Sequence, residues 1–364
     1  MVIDGVRKSV EDVSTYVYGK TVEDIKKDYE LNNVAKLCFN ENPYAPYPCC
    51  VEAIIDEIQN LNCYPDAGYI KLKELISKKN NLSRDNVALA HGIVGLLETL
   101  SKMFIETGDE VIIPHSTFGL YEDLSKIMGA EIKYTNLDNG TIDVGEILGS
   151  ITKNTKLVWI SNPNNPTGTI IKRDDFNYLI DNIPEDVWII FDEAYYEFAE
   201  GDEYPDSIEA VREGEKIILT RTFSKAYGMA GLRLGYALAS QDVIETINSV
   251  SQPFNANRAG LVGAMAALQN ENYCKKIINK INKSKQYLSC ELKKMGCEVF
   301  PSYTNFVFFK TPYSAEDIAE KLLKKGVMVA PGTRWNFKKG MRVSVGKQEE
   351  NQKFLDELSN ILNK

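Results

Sequence analysis

Residues 222–233 read TFSKAYGMAGLR and follow a short apolar run at Lys216–Thr220. The stretch combines hydroxyl side chains, glycines that permit close backbone approach, and an arginine, Arg233, eight residues after Lys225. That combination suits a phosphate group, and a lysine kept from water beside cations is a good amine nucleophile. It is not a Walker A loop, because G-x-x-x-x-G-K-[ST] occurs nowhere in the chain. Alone, however, a lysine at the end of a strand is most often a solvated surface residue.

Short apolar runs rich in Val and Ile recur on both sides of this stretch, with amphipathic helical segments between several of them. The runs lie at Val87–Ala90, Val111–Pro114, Glu131–Tyr134, Lys156–Ile160, Val187–Phe191, Lys216–Thr220 and Leu234–Leu238. Their composition is typical of strands that are buried on both faces. The alternation predicts an α/β fold with a mostly parallel seven-stranded sheet covered on both sides. Ligands of such sheets collect at the carboxyl ends of the strands.

The length of 364 residues favours two domains, and 44% apolar with 26% charged residues is typical of a globular protein. After residue 255 the pattern changes to a long helix, predicted at Arg258–Lys294, followed by a few strands and helices. We predict an N-terminal arm with part of the small domain at 1–44, a large ligand-binding domain at 45–255, and a small α+β domain at 256–364. The formal charge of -9 argues against nucleic acid and membrane partners.

The sequence also indicates the compartment. The first residues, MVIDGVRKSVEDV, lack the apolar core of a signal peptide, and no apolar run approaches the ~20 residues of a membrane span. Seven scattered cysteines, without a C-x-x-C pair or histidines at metal-ligand spacing, favour free thiols and no metal site. We therefore predict a cytoplasmic protein.

Polar residues follow two other predicted strands. The run SNPNNPTG at residues 161–168 forms a rigid turn with three asparagines, although by itself it is compatible with a plain strand-to-helix connection. The run DEAYY begins at Asp192, directly after an apolar strand. A carboxylate in that place needs water or a cationic partner, for example a protonated pyridine nitrogen or an arginine. Each feature alone leaves the structural explanation open.

Together, the three stretches resemble the fold-type I enzymes that use pyridoxal 5′-phosphate (PLP), in particular the histidinol-phosphate aminotransferase family. The resemblance includes YVYGK at 16–20, FNENP at 39–43, YPD at 64–66 and MRVSVG at 341–346, and it covers nearly the whole chain. It implies PLP as cofactor, amino-acid and 2-oxo-acid substrates, and a homodimer with shared active sites.

The resemblance also implies the catalytic residues. Lys225 would hold PLP as a Schiff base and then serve as general acid and base. Asp192 would pair with the pyridinium nitrogen of the cofactor. Asn165 and Tyr195 would bond its phenolic oxygen, and Tyr195 counts with Lys225 and Asp192 among the catalytic residues. Arg342 would bind the α-carboxylate of the substrate.

The remaining expected contacts surround the cofactor and the substrate. Phe118 and Ala194 would pack on the two faces of the ring. The residues expected around the phosphate are Gly92, Ile93, Val94, Thr222, Ser224, Arg233 and, from the neighbouring subunit, Tyr64. Asn165, Tyr18 and His91 are expected, with Arg342, on the substrate side.

Three positions depart from the family pattern. Gly92-Ile93-Val94-Gly95 replaces the usual polar and acidic run, so the cradle there depends on backbone amides. His91 stands where asparagine is usual, as a hydrogen-bonding neighbour or as a proton carrier. Ala330 stands where these enzymes usually place a substrate-binding arginine. Arg334 either replaces that arginine or is a surface residue.

We therefore predict a ping-pong aminotransferase acting on histidinol phosphate or an amino acid. The alternatives are a PLP-dependent oxidase of a basic amino acid such as arginine, using O₂, and a PLP-dependent decarboxylase. A PLP-binding protein without turnover is a third possibility, against which Lys225, Asp192 and Arg342 count. A hydrolase finds no support, because the chain has no G-x-S-x-G motif and no catalytic triad can be assembled from its two histidines.

Overall fold

A computed structural model describes residues 5–10, 13, 19–199 and 201–363. The strands are β1 (Ala35–Lys36), β2 (Val87–His91), β3 (Glu110–Pro114), β4 (Glu131–Thr135), β5 (Leu137–Asp138), β6 (Thr141–Ile142), β7 (Thr155–Ser161), β8 (Trp188–Asp192), β9 (Ile217–Thr222), β10 (Leu234–Leu238), β11 (Glu298–Val299), β12 (Phe306–Lys310), β13 (Val327–Met328), β14 (Ala330–Pro331) and β15 (Gly340–Ser344). The α-helices are α1 (Val22–Asp28), α2 (Pro48–Glu57), α3 (Ile70–Asn80), α4 (Gly92–Phe104), α5 (Leu120–Met128), α6 (Val144–Ser150), α7 (Arg173–Asn182), α8 (Ser207–Glu213), α9 (Gln241–Val250), α10 (Arg258–Gln269), α11 (Glu271–Lys294), α12 (Ala315–Lys324) and α13 (Gln348–Leu362).

The large sheet confirms the predicted α/β fold. Its seven strands lie in the order β2-β10-β9-β8-β7-β3-β4, and only β10 runs antiparallel to its neighbours. All residues of β3 and β9 are buried, as expected of strands covered on both faces. Two apolar clusters, one on each side of the sheet, account for that burial.

The register of the large sheet brings polar chain ends to one edge. Ser161 at the end of β7 lies beside Asp192 at the end of β8, and Asp192 lies beside Thr220 of β9. On the other side, Gly235 of β10 pairs with Thr222, where β9 ends. The segments singled out in the sequence therefore meet at the carboxyl edge of the sheet, where ligands of such folds bind.

A smaller antiparallel sheet, ordered β11-β12-β15-β14, lies with helices α11, α12 and α13 in the C-terminal part. The N-terminal segment reaches the C-terminal part through a separate two-stranded sheet, in which β1 pairs in parallel with β13. The division of the chain after residues 44 and 255 stays a prediction. Among the described residues, no helix combines the length and apolarity required to traverse a bilayer.

The single long helix predicted at Arg258–Lys294 is wrong. The chain forms α10 and α11 instead, and they meet at Asn270, whose φ of -117° and ψ of 43° are not helical. The Asn270 side chain donates from Nδ2 to the carbonyl of Ala266 at 2.8 Å. Asparagine ends helices in this way because its amide competes for backbone groups. Helix α10 packs on α2 and α3, whereas α11 continues to the small sheet.

The loop after β9 is fixed against the N-terminal segment. Asn42 donates from Nδ2 to the carbonyl of Ala226 at 2.8 Å. Gly228 has φ of +67°, and a Cβ at this position would lie 1.9 Å from the Cβ of Ala45. This close approach requires glycine and holds the segment 222–233 in place.

We expect Gly228→Ala to lower the free energy of unfolding by about 2–4 kcal/mol, because left-handed backbone strain adds to overpacking against Ala45. Gly231→Ala is the matched control, since no atom lies within 4 Å of a Cβ there. Urea denaturation of both variants tests this. Equal midpoints for the two variants would show that the Gly228 contact is not a constraint.

Candidate active site

Lys225 lies on the loop after β9, half-buried at the carboxyl edge of the sheet. Its Nζ donates to the carbonyl of Phe39 at 3.0 Å and stands 5.7 Å from the centre of the Tyr195 ring. Burial, followed by the positive charge of Arg342, lowers the pKa of Lys225 to about 8. A substantial fraction of this amine is therefore neutral near pH 8, which is the state that attacks a carbonyl.

Asp192 ends β8 and is buried. Its Oδ2 accepts a hydrogen bond from the Tyr121 hydroxyl at 2.7 Å, and its Oδ1 accepts one from the Ala194 amide at 3.0 Å. Burial nevertheless raises the pKa of Asp192 to about 6. A carboxylate with this pKa is stabilised by a nearby cation, and a protonated ring nitrogen is one.

The sequence did not identify Tyr121. It lies in the first turn of α5, and its ring stacks on Trp159 with centroids 5.2 Å apart and planes 4° apart. The signal available was its position, three residues after Phe118, whose ring meets Tyr121 edge-on at 5.5 Å. Tyr121 therefore fixes the Asp192 carboxylate from the side of the predicted ring-stacking residue.

Arg342 and Asn165 form a contact between the two sheets. Arg342, on β15, is buried and donates from Nη1 to Asn165 Oδ1 and from Nη2 to the carbonyl of Cys38 at 2.8 Å. Its guanidinium carbon lies 4.8 Å from the centre of the Trp335 ring. Trp335, another residue that the sequence did not single out, thus positions Arg342 by a cation–π contact.

Tyr195 is placed by a second contact between the N-terminal segment and the large sheet. Its hydroxyl oxygen accepts a hydrogen bond from Asn40 Nδ2 at 3.0 Å, and its ring meets Phe306 edge-on. Asn40 in turn bonds Ser344, next to Arg342 on β15. Asn40 belongs to the FNENP motif, so the signal was present, but its role was not predicted.

The turn between β2 and α4 forms a cradle with Arg233. Gly92 has φ of +71°, and a Cβ there would lie 2.8 Å from Arg233 Nη2. A Cβ on Gly235 would lie 2.7 Å from the Ile93 nitrogen. Backbone amides at a helix start, beside a guanidinium group, bind a phosphate well. These residues therefore fit the phosphate group of PLP.

Hydroxyl groups stand at the same end of β9. Thr222 Oγ1 accepts a hydrogen bond from the Ser224 amide at 3.0 Å and donates to the carbonyl of Leu234 at 3.3 Å. Both residues are buried. The charges of Arg233, Arg342 and Asp192 all act on the pKa of Lys225, so the structure brings these groups together around it.

Several other predicted residues are exposed or lie outside the described part of the chain. Tyr64 is 76% exposed and stacks on Phe254 at 4.6 Å between centroids. His91 is exposed at the end of β2, and Val94 is exposed on α4. Tyr18 lies outside the described residues. His115, the other histidine, stacks on Tyr134 with centroids 4.7 Å apart.

Glu193, the second acid of the DEAYY run, stabilises the fold rather than facing the ligand edge. Glu193 is fully buried and pairs with Arg221 Nε at 2.7 Å, and it also accepts hydrogen bonds from Tyr204 and Ser207. Arg221 additionally donates to Asn80. The two adjacent acids of this motif therefore have different surroundings. Asp192 faces the ligand edge, whereas Glu193 belongs to a buried ion pair.

The departures from the family pattern also have defined places. Ala330 is buried on β14 and pairs directly with Arg342 on β15. Arg334 is exposed, with its guanidinium carbon 5.2 Å from the centre of the Trp335 ring. The structure therefore holds one buried arginine and one exposed arginine around the same indole.

Comparisons with known proteins agree with this geometry. Residues 32–358 match the family model described as aminotransferase class I and II. The chain is 36% identical over 358 residues to histidinol-phosphate aminotransferase 2 of Carboxydothermus hydrogenoformans, covering 98% of this chain and 99% of the relative. It is 34% identical over 360 residues to histidinol-phosphate aminotransferase of Bacillus licheniformis, covering 98% and 99%. The structure of histidinol-phosphate aminotransferase from Sinorhizobium meliloti, in complex with pyridoxal-5′-phosphate, has a TM-score of 0.91 at 24% identity, covering 100% of this chain and 98% of that one.

These findings confirm the predicted family, fold type, cofactor and reaction class. They do not favour the oxidase and decarboxylase alternatives. The chain belongs to the class I and II aminotransferases and is a fold-type I enzyme that depends on PLP.

Proposed function

We propose that Lys225 carries the cofactor and moves the proton in transamination, and that Arg342 binds the anionic group of the amino donor. The main observation is the position of the Lys225 amine, whose pKa is lowered to about 8 by burial and by Arg342. An amine with this pKa accepts and returns a proton near neutral pH. A guanidinium group beside it holds an anionic substrate within reach.

The remaining residues of the cleft would hold and tune PLP, which supplies an aldehyde for amines and a ring that accepts electrons. Asp192, fixed by Tyr121, would keep the ring nitrogen protonated. Tyr195 and Asn165 would orient the ring. The Gly92 turn, Arg233 and the hydroxyls of Thr222 and Ser224 would hold the phosphate, with Phe118 and Ala194 on the two ring faces.

The proposed cycle has two halves. In the first, Lys225 would remove the proton at the donor Cα and return it, while PLP, when bound, would supply the aldehyde that takes up the amino group and water would supply the oxygen of the oxo product. In the second, a 2-oxo acid takes the amino group by the reverse steps. Lys225 acts as base and then as acid, so no external proton carrier is needed.

We propose histidinol phosphate as the first donor to test, because it is the substrate in the names of both relatives. An α-amino acid is the second candidate. Ala330 favours it, since an alanine beside Arg342 leaves a single buried guanidinium, which suits the single charge of an α-carboxylate.

We further propose a cytoplasmic homodimer in which Tyr64 completes the site of the partner subunit. Support comes from apolar side chains that are more than half exposed at Ile55, Ile58 and Leu61, close to Tyr64 in sequence. Such side chains usually mark an interaction surface. The seven cysteines are unpaired, which fits a reducing compartment.

Borohydride treatment of the protein reconstituted with PLP should attach the cofactor to Lys225, as read by peptide mass spectrometry. In Lys225→Ala that label should be absent, and turnover should fall by about 10³-fold or more, because both the anchor and the proton carrier are lost. Lys338→Ala, at another exposed position, is the control. Donor, oxo product and oxygen are followed together.

A wild-type protein that leaves Lys225 unlabelled, or that consumes O₂ in proportion to product, would refute transamination through this lysine. The expected results are unchanged O₂ and, when no acceptor is added, one pyridoxamine phosphate formed per oxo product.

The rate of PLP capture by the cofactor-free protein should rise as pH increases and level off above pH 8. Only the neutral amine reacts, and the pKa of Lys225 is lowered from 10.5 to about 8. The initial rate of borohydride-trapped labelling from pH 6 to 10 measures this, with Nα-acetyl-lysine as the reference amine. A protein whose rate still rises steeply between pH 8 and 10, as that of the reference does, would contradict the lowered pKa.

Mixed dimers test the shared site. In a dimer of Tyr64→Ala and Lys225→Ala subunits, one site would contain both native residues and the other neither, so about half the wild-type activity should return. Differently tagged subunits allow the mixed dimer to be purified. If Tyr64 serves its own subunit, the mixed dimer stays as inactive as the Lys225→Ala homodimer or as weak as the Tyr64→Ala homodimer.

A further inference from the structure

Helix α11 carries positive charge without compensation over its whole middle part. Between Glu271 and Glu291 it contains no acidic residue, and lysines stand at positions 275, 276, 280, 283 and 285. Residues three or four apart are neighbours on a helix, so Lys276, Lys280 and Lys283 form one stripe. Like charges at this spacing destabilise a helix. The stripe is therefore an exception in a chain that has 51 acidic and 42 basic residues.

The lysine stripe lines a groove of about 1000 Å³, a volume that is typical of small-molecule sites. Residues 43–45 line the same groove, and Lys280 Nζ lies 3.8 Å from the centre of the Tyr44 ring, so the helix and this segment meet there. No acidic residue of the described part of the chain lines the groove. Its five cations, the groove lysines, are Lys275, Lys276, Lys280, Lys283 and Lys347.

The groove lysines have no acidic partners. None of them forms an ion pair with a carboxylate of the described residues. Glu271, one turn before Lys275, pairs instead with Lys79 at 2.5 Å. Glu350, at the start of α13, accepts a hydrogen bond from the Lys347 amide at 2.7 Å. The ammonium groups therefore repel one another, and a bound anion would relieve that repulsion.

Contacts with the core hold the groove in place before anything binds. Tyr47 donates from its hydroxyl to the carbonyl of Ala226, and the same oxygen lies 3.7 Å from Cys274 Sγ on α11. The Tyr47 ring meets that of Tyr273 edge-on, with centroids 5.1 Å apart. Asn42, next to the lining segment, also bonds the carbonyl of Ala226. A preformed site loses little conformational freedom on binding, which favours affinity.

The lining residues favour phosphate over carboxylate. Lysine binds phosphate as a point charge, whereas arginine recognises a planar carboxylate through two parallel hydrogen bonds. Among the described residues that line the groove there is no arginine. Five ammonium groups are offset best by a small molecule with several negative charges. A long nucleic acid is disfavoured, because it would extend from the groove over a chain of formal charge -9.

We propose that the groove binds a small oligophosphate, such as the triphosphate of a nucleotide. The side-chain amides of Asn272 and Asn279 line the groove and would donate to phosphate oxygens. Tyr273, which is 37% exposed, supplies an aromatic ring on which a nucleobase can stack. None of the lining residues belongs to the proposed cofactor cleft. The site is therefore additional to the one that serves transamination.

Calorimetric titration of the PLP-loaded protein with inorganic tripolyphosphate tests this proposal. We expect one tripolyphosphate per chain, with an affinity that falls as salt is added, because salt screens exposed charges. In the triple variant Lys276→Ala/Lys280→Ala/Lys283→Ala, Kd should rise about 30-fold or more. Without ligand, its melting temperature should equal or exceed that of the wild type, because repulsion is removed.

The matched control removes the same charge from exposed positions outside the groove. It is Lys293→Ala/Lys321→Ala/Lys325→Ala, and its Kd should change by less than about 3-fold. A similar loss of affinity in both triple variants would overturn the proposal, and so would a wild-type protein without saturable binding.

Three competitors define the class of ligand. ATP should displace tripolyphosphate, and binding that ATP leaves unchanged would contradict a nucleotide as the ligand. Citrate should bind much more weakly, and an equal affinity would refute the preference for phosphate. A single-stranded DNA oligonucleotide that binds the groove lysines more tightly than tripolyphosphate would overturn the proposal in favour of a nucleic-acid surface.

Discussion

The burial of Asp192 at the end of β8 is the constraint on which the site depends. An acid in this place is taken from water at the end of an apolar strand, and its pKa rises to about 6 even with two hydrogen bonds. The hydrogen bonds within the folded chain do not offset the cost of burying the Asp192 charge. A cationic ring nitrogen would therefore suit this carboxylate. Tyr121 and the Ala194 amide set its orientation, so a cofactor ring paired with Asp192, as we propose, would have a defined place before it binds. Burial has the complementary effect on Lys225, because it favours the neutral form of the amine over the charged form.

Both halves of the described chain contribute to this arrangement. Asn165 on the large-sheet side bonds Arg342 on β15, and Asn40 links Tyr195 with Ser344. The carbonyls of Phe39 and Cys38 accept hydrogen bonds from Lys225 and Arg342. The segment 38–42 therefore contacts both charged groups that we propose to act on the substrate. Its backbone supplies acceptors for both groups, and the charge of Glu41 in the same segment raises the pKa of Lys225, against the effect of burial.

The sequence predicted the large sheet well, because strands buried on both faces are continuous apolar runs and need no knowledge of their partners. It singled out Lys225 and Asp192 for the same reason, since they are polar residues directly after such runs, and their roles stay predictions. Tyr121 and Trp335 were missed because each acts through a contact with a residue far along the chain. The division between Asp192 and Glu193 was not predicted either, since only the position of Arg221 shows which acid is paired. The break at Asn270 was missed because one asparagine in a helical pattern is weak evidence without its backbone angles.

Ala330 stands where the family resemblance would place an arginine. The effect of this difference is best understood through the pKa of Lys225. Residue 330 pairs directly with Arg342, and directly opposed residues of antiparallel strands have Cα atoms about 4.5–5.5 Å apart. A guanidinium at position 330 would be buried beside Arg342, whose charge already contributes to lowering the pKa of Lys225. Two such buried charges would need a doubly charged anion to offset them. With Ala330 in this place, the buried part of the site remains suited to a single negative charge. The same electrostatic reasoning connects substrate choice with the reactivity of the catalytic amine.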